Sequence, residues 1–477
     1  MAMSQADYEA RDALGLAALV RARAVSPEEL LDAALARLDA VNPVINAQAH
    51  RFADLARAQI AAGLGEGPFA GVPFMTKDLG VMVKGAPYSG GSRAWAGYVA
   101  DRDSVVAERY RAAGLAIFGS TTSPELGLTS ATENKVQGVT RNPWNPDRIA
   151  GGSSGGAAAV VAAGVVPMAQ ASDGGGSIRT PASCCGLFGL KPSRGRIPMG
   201  PVRTEGWNGM SVVHAVTRSV RDSAALMDAT CGLEPGARTT APPPPAGGYL
   251  RHLDTAPKPL RIALWTRTWT GDAIDPVCAD AARDAATLCE ALGHSVDEQR
   301  PPIDGAALSA AFLPILMTNT LKDLEDRGAA RGAPVGDDEI EVLTAIYRAR
   351  GAKVTGLELQ AAFAVQQQAA VAIAEFMETY DVVLTATQGA PPGPHGALSL
   401  SPPDVAQYGR DIAAFGPYTA AANHTGQPSM SVPLSWSPDG LPIGVMFTGR
   451  FGEEALLLRL AAQLEEARPW AARRPTL

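Results

Sequence analysis

Residues 149–193 read IAGGSSGGAAAVVAAGVVPMAQASDGGGSIRTPASCCGLFGLKPS, and the reading of this stretch decides the fold. Two glycine-serine clusters, Gly151–Gly156 and Gly174–Ser177, bracket a run of small apolar residues. The run is long enough for a helix over 155–163 followed by a central strand over 165–171. Glycine has no Cβ, so the backbone at both clusters is free to approach a ligand closely. Consecutive glycines also leave N–H groups that converge on an anion. Ser153 and Ser177, 24 residues apart, put a hydroxyl at each cluster. Helix capping is the plainest role for Ser153, and Ser154 is the other hydroxyl able to serve at that cluster.

The segments GGSSGG, DGGGSIRTPAS and GLFGLKPSRGRIP resemble the amidase signature family, and so does GVPFMTKDL around Lys77. Closest in motif are its nylon-oligomer (aminohexanoate cyclic dimer) hydrolases and urethane-cleaving members. The resemblance covers roughly residues 60–230 and 415–468; between them only the order of elements matches. It implies an α/β fold in one domain over 1–477, a twisted mixed β-sheet covered by helices on both faces. Within it fall a helical part (1–62), a catalytic core (60–230), a substrate-shaping part (236–410) and a closing segment (415–468). It implies a Ser–cis-Ser–Lys triad: Ser177 as nucleophile, Ser153 as bridge after a cis peptide bond, Lys77 as base. The N–H groups of Gly174, Gly175, Gly176 and Ser177 would hold the oxyanion, with Asp173 and Arg179 keeping the turn rigid. Gly174 stands where Thr or Ile is more usual in the family. Gly127, Leu128, Thr129, Ser130 and Trp207 are the expected substrate contacts, small Gly127 leaving acyl-side room, and Met210 and His214 are placed near the pocket mouth. The reaction implied is hydrolysis of an amide, aryl amide, cyclic amide or carbamate, with no metal or organic cofactor.

Lysine at a strand end is usually solvated. Beside the apolar strand expected over 72–76, however, Lys77 would lose hydration and its pKa would fall. His214 reads more readily as a structural histidine than as a base.

Composition bounds the partners. The chain has 477 residues, 46% of them hydrophobic, and a net charge of −7. No basic block points to nucleic acid. The longest apolar run is too short to span a bilayer, and the polar N-terminus lacks the form of a signal peptide. Five cysteines without framework spacing suit reduced thiols in the cytoplasm. The expected partner is a small neutral amide or carbamate, with room left for a homodimer.

Along the chain, residues 7–62 read as helical, with a capping box at Ser26-Pro27-Glu28-Glu29 and a stop at Asn42-Pro43. A helix is expected over 103–114, strands over 115–118, in LRIALW and in VVLTA, and a long helix over 355–380. The Pro/Gly-rich stretch 389–403 has the composition of a lid.

Other readings use the same residues. Gly151-Gly152-Ser153-Ser154-Gly155 fits the G-x-S-x-G elbow of an α/β-hydrolase esterase, but an elbow follows a buried strand, and residues 142–148 (NPWNPDR) are unsuited to one. No lysine completes G-x-x-x-x-G-K and no H-E-x-x-H occurs, against phosphate-loop and zinc chemistry. The amidase subunit of a tRNA-dependent amidotransferase stays within the resemblance.

Overall fold

The computed structural model describes residues 3–477. Its N-terminal part follows from local signals. Ser26 Oγ accepts from the Glu29 N–H while the Glu29 carboxylate accepts from the Ser26 N–H, and with Pro27 in the first turn they start the helix Pro27–Ile45. This helix does not stop at Asn42-Pro43 as the sequence suggests. Pro43 rides in the last turn, and the chain leaves at Asn46, which is left-handed at φ 47°. Asn42 Oδ1 then accepts from the N–H groups of Ala47 and Gln48, turning the chain into a strand, β1 (Gln48–Arg51). That strand interrupts the expected all-helical segment; helix resumes at Ala53–Ala62.

Two sheets carry the architecture. The smaller joins β1, β2 (Pro73–Lys77) and β3 (Ala116–Thr121) in the order β1-β3-β2, with β2 parallel to β3. The larger comprises β4 (Met168–Asp173), β5 (Phe188–Lys191), β6 (Val212–Thr217), β7 (Arg261–Leu264), β8 (Ser295–Glu298), β9 (Val382–Ala386), β10 (Ser429–Trp436) and β11 (Pro442–Gly449). Its order is β8-β7-β9-β11-β10-β5-β6-β4. β7 runs parallel to β8 and β9 and the other pairs are antiparallel, so the sheet is mixed and flanked by helices. β4 begins at Met168, three residues later than its apolar run suggests, and it lies at the end of the strand order rather than the centre.

The Gly155–Ala162 helix packs against both sheets, and all eight of its residues are buried. Only small side chains allow that approach: a Cβ at Gly156 would meet the backbone N of Thr122 at 2.5 Å. Residues 141–149 hold a surprise. Arg141–Asn142 and Asn145–Ile149 pair as a small antiparallel ribbon directly before the first glycine cluster. Pro146 is tolerated because the ribbon is a two-stranded edge with exposed residues.

The long expected helix is present as Gly356–Thr379, started by a Thr355–Glu358 capping box. Residues 389–403 contain no helix or strand, yet they are anchored. Leu398 and Leu400 are buried, and the Ile149 N–H donates to Gly393 O. No helix of the described residues is long and apolar enough to cross a membrane.

Candidate active site

Lys77 is the last residue of β2 and is fully buried. Its backbone N–H donates to Gln170 Oε1 at 2.7 Å, which ties β2 to β4. Its Nζ donates to Ser153 Oγ at 2.6 Å and to Ser172 Oγ at 3.0 Å. Gln170 and Ser172 alternate along β4, so both face the lysine. Burial lowers the Lys77 pKa to about 7, with the Asp173 carboxylate opposing the fall.

Ser153 follows a cis Gly152–Ser153 peptide bond and is 2% exposed. It is not the cap of the following helix, since Ser154 holds the N-cap position without a capping bond. Ser154 Oγ instead donates to Ser172 O at 3.2 Å and accepts from the Ser172 N–H at 3.3 Å. That hydroxyl is engaged with the backbone of β4, and Ser153 is the one facing Lys77.

The second cluster turns on Asp173. Its Oδ1 accepts from the Gly176 N–H at 2.8 Å and its Oδ2 from the Ile178 N–H at 3.1 Å. Arg179 grips the same carboxylate through Nε at 3.0 Å and Nη2 at 2.9 Å, and both side chains are fully buried. Asn423 closes the network, donating to Asp173 Oδ1 at 2.9 Å and accepting from Arg179 Nη2 at 2.8 Å. Burial pushes the Asp173 carboxyl upward, but Arg179 and then Lys191 outweigh it and hold the group well below the usual carboxylate range.

This corrects one expectation. The Gly176 N–H is committed to Asp173 and is not free for an oxyanion. Among the described residues none accepts from the N–H groups of Gly174, Gly175 or Ser177. Gly176 itself has φ 135°, and a Cβ there would collide with Thr419. Thr419 Oγ1 donates to Gly175 O at 2.6 Å, pinning the turn from the other side. Ser177 is half-exposed, and its hydroxyl has no hydrogen-bond partner among the described residues.

The remaining expected contacts are spread around this centre. Gly127 lies against Ser153: a Cβ would stand 3.1 Å from Ser153 Oγ and 2.7 Å from Leu79 Cδ2. The room expected beside Gly127 is therefore filled by Leu79. Leu128 is buried in an apolar cluster against which Trp207 and Phe312 pack. Thr129 Oγ1 donates to Leu398 O at 2.8 Å, so it anchors the 389–403 loop, and Ser130 is half-exposed. Trp207 covers Gly174. Met210 is buried in a separate apolar cluster. His214 lies within β6, away from any mouth, fully buried against Ser223 Oγ at 2.8 Å, its pKa lowered to about 3 by burial.

Sequence reasoning missed Gln170, Ser172, Thr419, Asn423 and Phe312. The period-2 placement of Gln170 and Ser172 just before Asp173 was a usable signal. Nothing local marks the other three, whose partners lie more than a hundred residues away in the chain.

The Amidase family matches residues 29–458, and the chain belongs to that family, the amidase signature enzymes. It is a hydrolase acting on non-peptide C–N bonds. The 6-aminohexanoate-cyclic-dimer hydrolase of Pseudomonas sp. (strain NK87) is 38% identical over 480 residues, covering 98% of this chain and 97% of that protein. A solved 6-aminohexanoate cyclic dimer hydrolase superposes with a TM-score of 0.92 at 37% identity, covering 98% of this chain and 99% of the other. A bacterial aryl acylamidase does so at 0.85 and 26%, with the same coverage.

Proposed function

We propose that this amidase works through a seryl ester on Ser177, with Ser153 and Lys77 relaying the proton. Neutral Lys77 takes the Ser153 proton as Ser153 takes that of Ser177, and Ser177 Oγ attacks the carbonyl carbon. The developing oxyanion is met by the N–H groups of Gly174, Gly175 and Ser177, each such donor being worth about 3 kcal/mol. Collapse expels the amine, which leaves with the proton returned through Ser153. Water then attacks the ester by the same relay and releases the acid.

The observation that carries this reading is the 2.6 Å contact of Lys77 Nζ with Ser153 Oγ, made by a buried lysine whose pKa is near 7. The free Ser177 hydroxyl beside unengaged N–H groups supports its second half.

The substrate we propose is uncharged and rather apolar: a cyclic, linear or aryl amide, or a carbamate, whose extra oxygen leaves the carbonyl chemistry unchanged. Similarity to a cyclic-dimer hydrolase and to an aryl acylamidase favours this class, and so does the apolar cluster of Leu126, Leu128 and Leu316. We place the enzyme in the cytoplasm on its five unpaired cysteines, four of them buried. The decisive experiment is Ser177→Ala with intact-mass analysis of the wild type after a serine-reactive phosphonate. Turnover should fall by about a thousandfold or more, with one adduct, on Ser177. An adduct on Ser153 sinks the assignment.

A further inference from the structure

Gly174 and Gly175 are overhung by two aromatic rings from distant parts of the chain. A Cβ at Gly174 would stand 2.7 Å from Trp207 Cε3, so the indole occupies the space a side chain there would need. This accounts for glycine at position 174. Phe312, from the helix Gly305–Arg331, comes to 3.4 Å (Cζ) from the corresponding point at Gly175, within ordinary contact.

Phe312 is itself held in place. Its ring meets Trp207 at 6.1 Å and 85°, and on the other side His424 at 5.8 Å and 67°, both edge-on. His424 is buried, and its Nδ1 lies 3.1 Å from Gln366 Nε2. The turn carrying Trp207 is left-handed at two non-glycine residues, φ 49° at Trp207 and 53° at Asn208. Such a conformation persists only where its surroundings enforce it, and such residues cluster at functional sites. Here Asn319 of the Phe312 helix donates to Asn208 Oδ1 at 2.7 Å, latching turn to helix. Both residues are only partly buried.

We propose that Phe312 is a specificity-determining residue, forming with Trp207 an aromatic wall that selects flat, uncharged acyl groups. The inference rests on the Ser177 reading above. In that reading the oxyanion lies on the N–H groups of the glycine turn and the leaving nitrogen faces Ser153, which returns its proton, so the substituent left to meet the rings over that turn is the acyl group. An aromatic wall rewards a planar acyl group that lies along it and rejects a branched one. The acyl group stays bound through both ester formation and hydrolysis, so the wall acts on both steps.

The test uses two series on wild type, Phe312→Ala and Phe312→Leu. In one, aniline is fixed and the acyl group is acetyl, benzoyl or pivaloyl; in the other, acetyl is fixed and the amine varies in size. For Phe312→Ala we expect KM for the benzoyl anilide to rise about tenfold with kcat changed less. Pivaloyl kcat/KM should rise relative to acetyl, and the amine series should keep its order. Phe312→Leu keeps bulk without a flat face and should show the benzoyl loss without the pivaloyl gain; it carries the test if the alanine variant does not fold. A fall of kcat/KM by one common factor across all acyl groups overturns the proposal. So does a change of order confined to the amine series. Phosphonate labelling separates the two readings. A wild-type adduct away from Ser177 defeats the nucleophile assignment, whereas correct labelling with an unchanged acyl order defeats only the role of Phe312.

Discussion

Lys77 Nζ and Ser153 Oγ lie 2.6 Å apart, and neither side chain has appreciable access to water. Lys77 comes from the end of a strand and Ser153 from the turn into a helix, 76 residues later in the chain. A buried amine beside a hydroxyl is stable when the amine is neutral, and a neutral amine is able to accept a proton.

Lys77 should therefore govern the alkaline rise of activity. Its neutral form gains population as pH climbs through about 7, so kcat/KM should increase along a limb near that value. Lys77→Ala should lose most amide turnover and less ester turnover, because an alkoxide leaves with little help whereas an amine needs its proton. Lys77→Arg should not restore activity, since the guanidinium stays charged. Matched amide and ester pH–rate profiles check this; wild-type amide turnover in Lys77→Ala would place the base elsewhere.

The same burial predicts a stability effect. Between about pH 7 and the ordinary lysine value of 10.5 the unfolded chain binds a proton that the folded chain has lost. Stability thus rises with pH across that window, and below it the folded protein carries a buried ammonium at full cost. Lys77→Met should be more stable than wild type at pH 6, with the gain shrinking toward pH 10. Urea titrations at several pH values report it, and a gain that grows with pH would contradict it.

Asp173→Asn should cost about 3–5 kcal/mol, because Arg179 is left as a buried charge without its partner. An amide also offers one acceptor oxygen where the Gly176 and Ile178 N–H groups use two. Denaturant unfolding measures the loss. A change below about 1 kcal/mol would mean that the pair contributes little beyond its own desolvation.

Neighbouring glycines should respond differently. Gly176→Ala puts a methyl into Thr419 at φ 135° and should destabilise by about 1–3 kcal/mol with loss of turnover. Gly175→Ala meets only the Phe312 ring at 3.4 Å and should leave the melting temperature within a few degrees of wild type. Thermal unfolding of the two variants side by side separates them; equal losses would mean the turn is less tightly pinned than its hydrogen bonds imply.

His214→Gln should keep kcat within a few-fold. Burial holds this imidazole neutral, with a pKa of about 3, and it is bonded to Ser223 inside the sheet. A loss of turnover as large as that of Ser177→Ala, with the fold intact, would revive an esterase-type relay.

What the sequence determined by itself is local. The capping box at Ser26, the long helix opened by Thr355 and the small-residue helix after Ser154 are written in neighbouring residues. So are the two glycine clusters and the lysine segment, whose resemblance to one family needs no third dimension. Where local rules compete, the tertiary context decided. Pro43 does not end its helix because the residues before it supply the turn and Asn46 supplies the exit. Residues around Pro146 form a strand because they need to pair on one edge only. The ion pair of Asp173 and Arg179 is wholly buried because Asn423 and β10 arrive from some 250 residues away. The shift of Lys77 depends on desolvation by other elements, and the wall over Gly174 and Gly175 on a helix with no local mark of its role. Burial is a property of what covers a residue, and those covering segments are distant in the chain; only the folded arrangement contains that information.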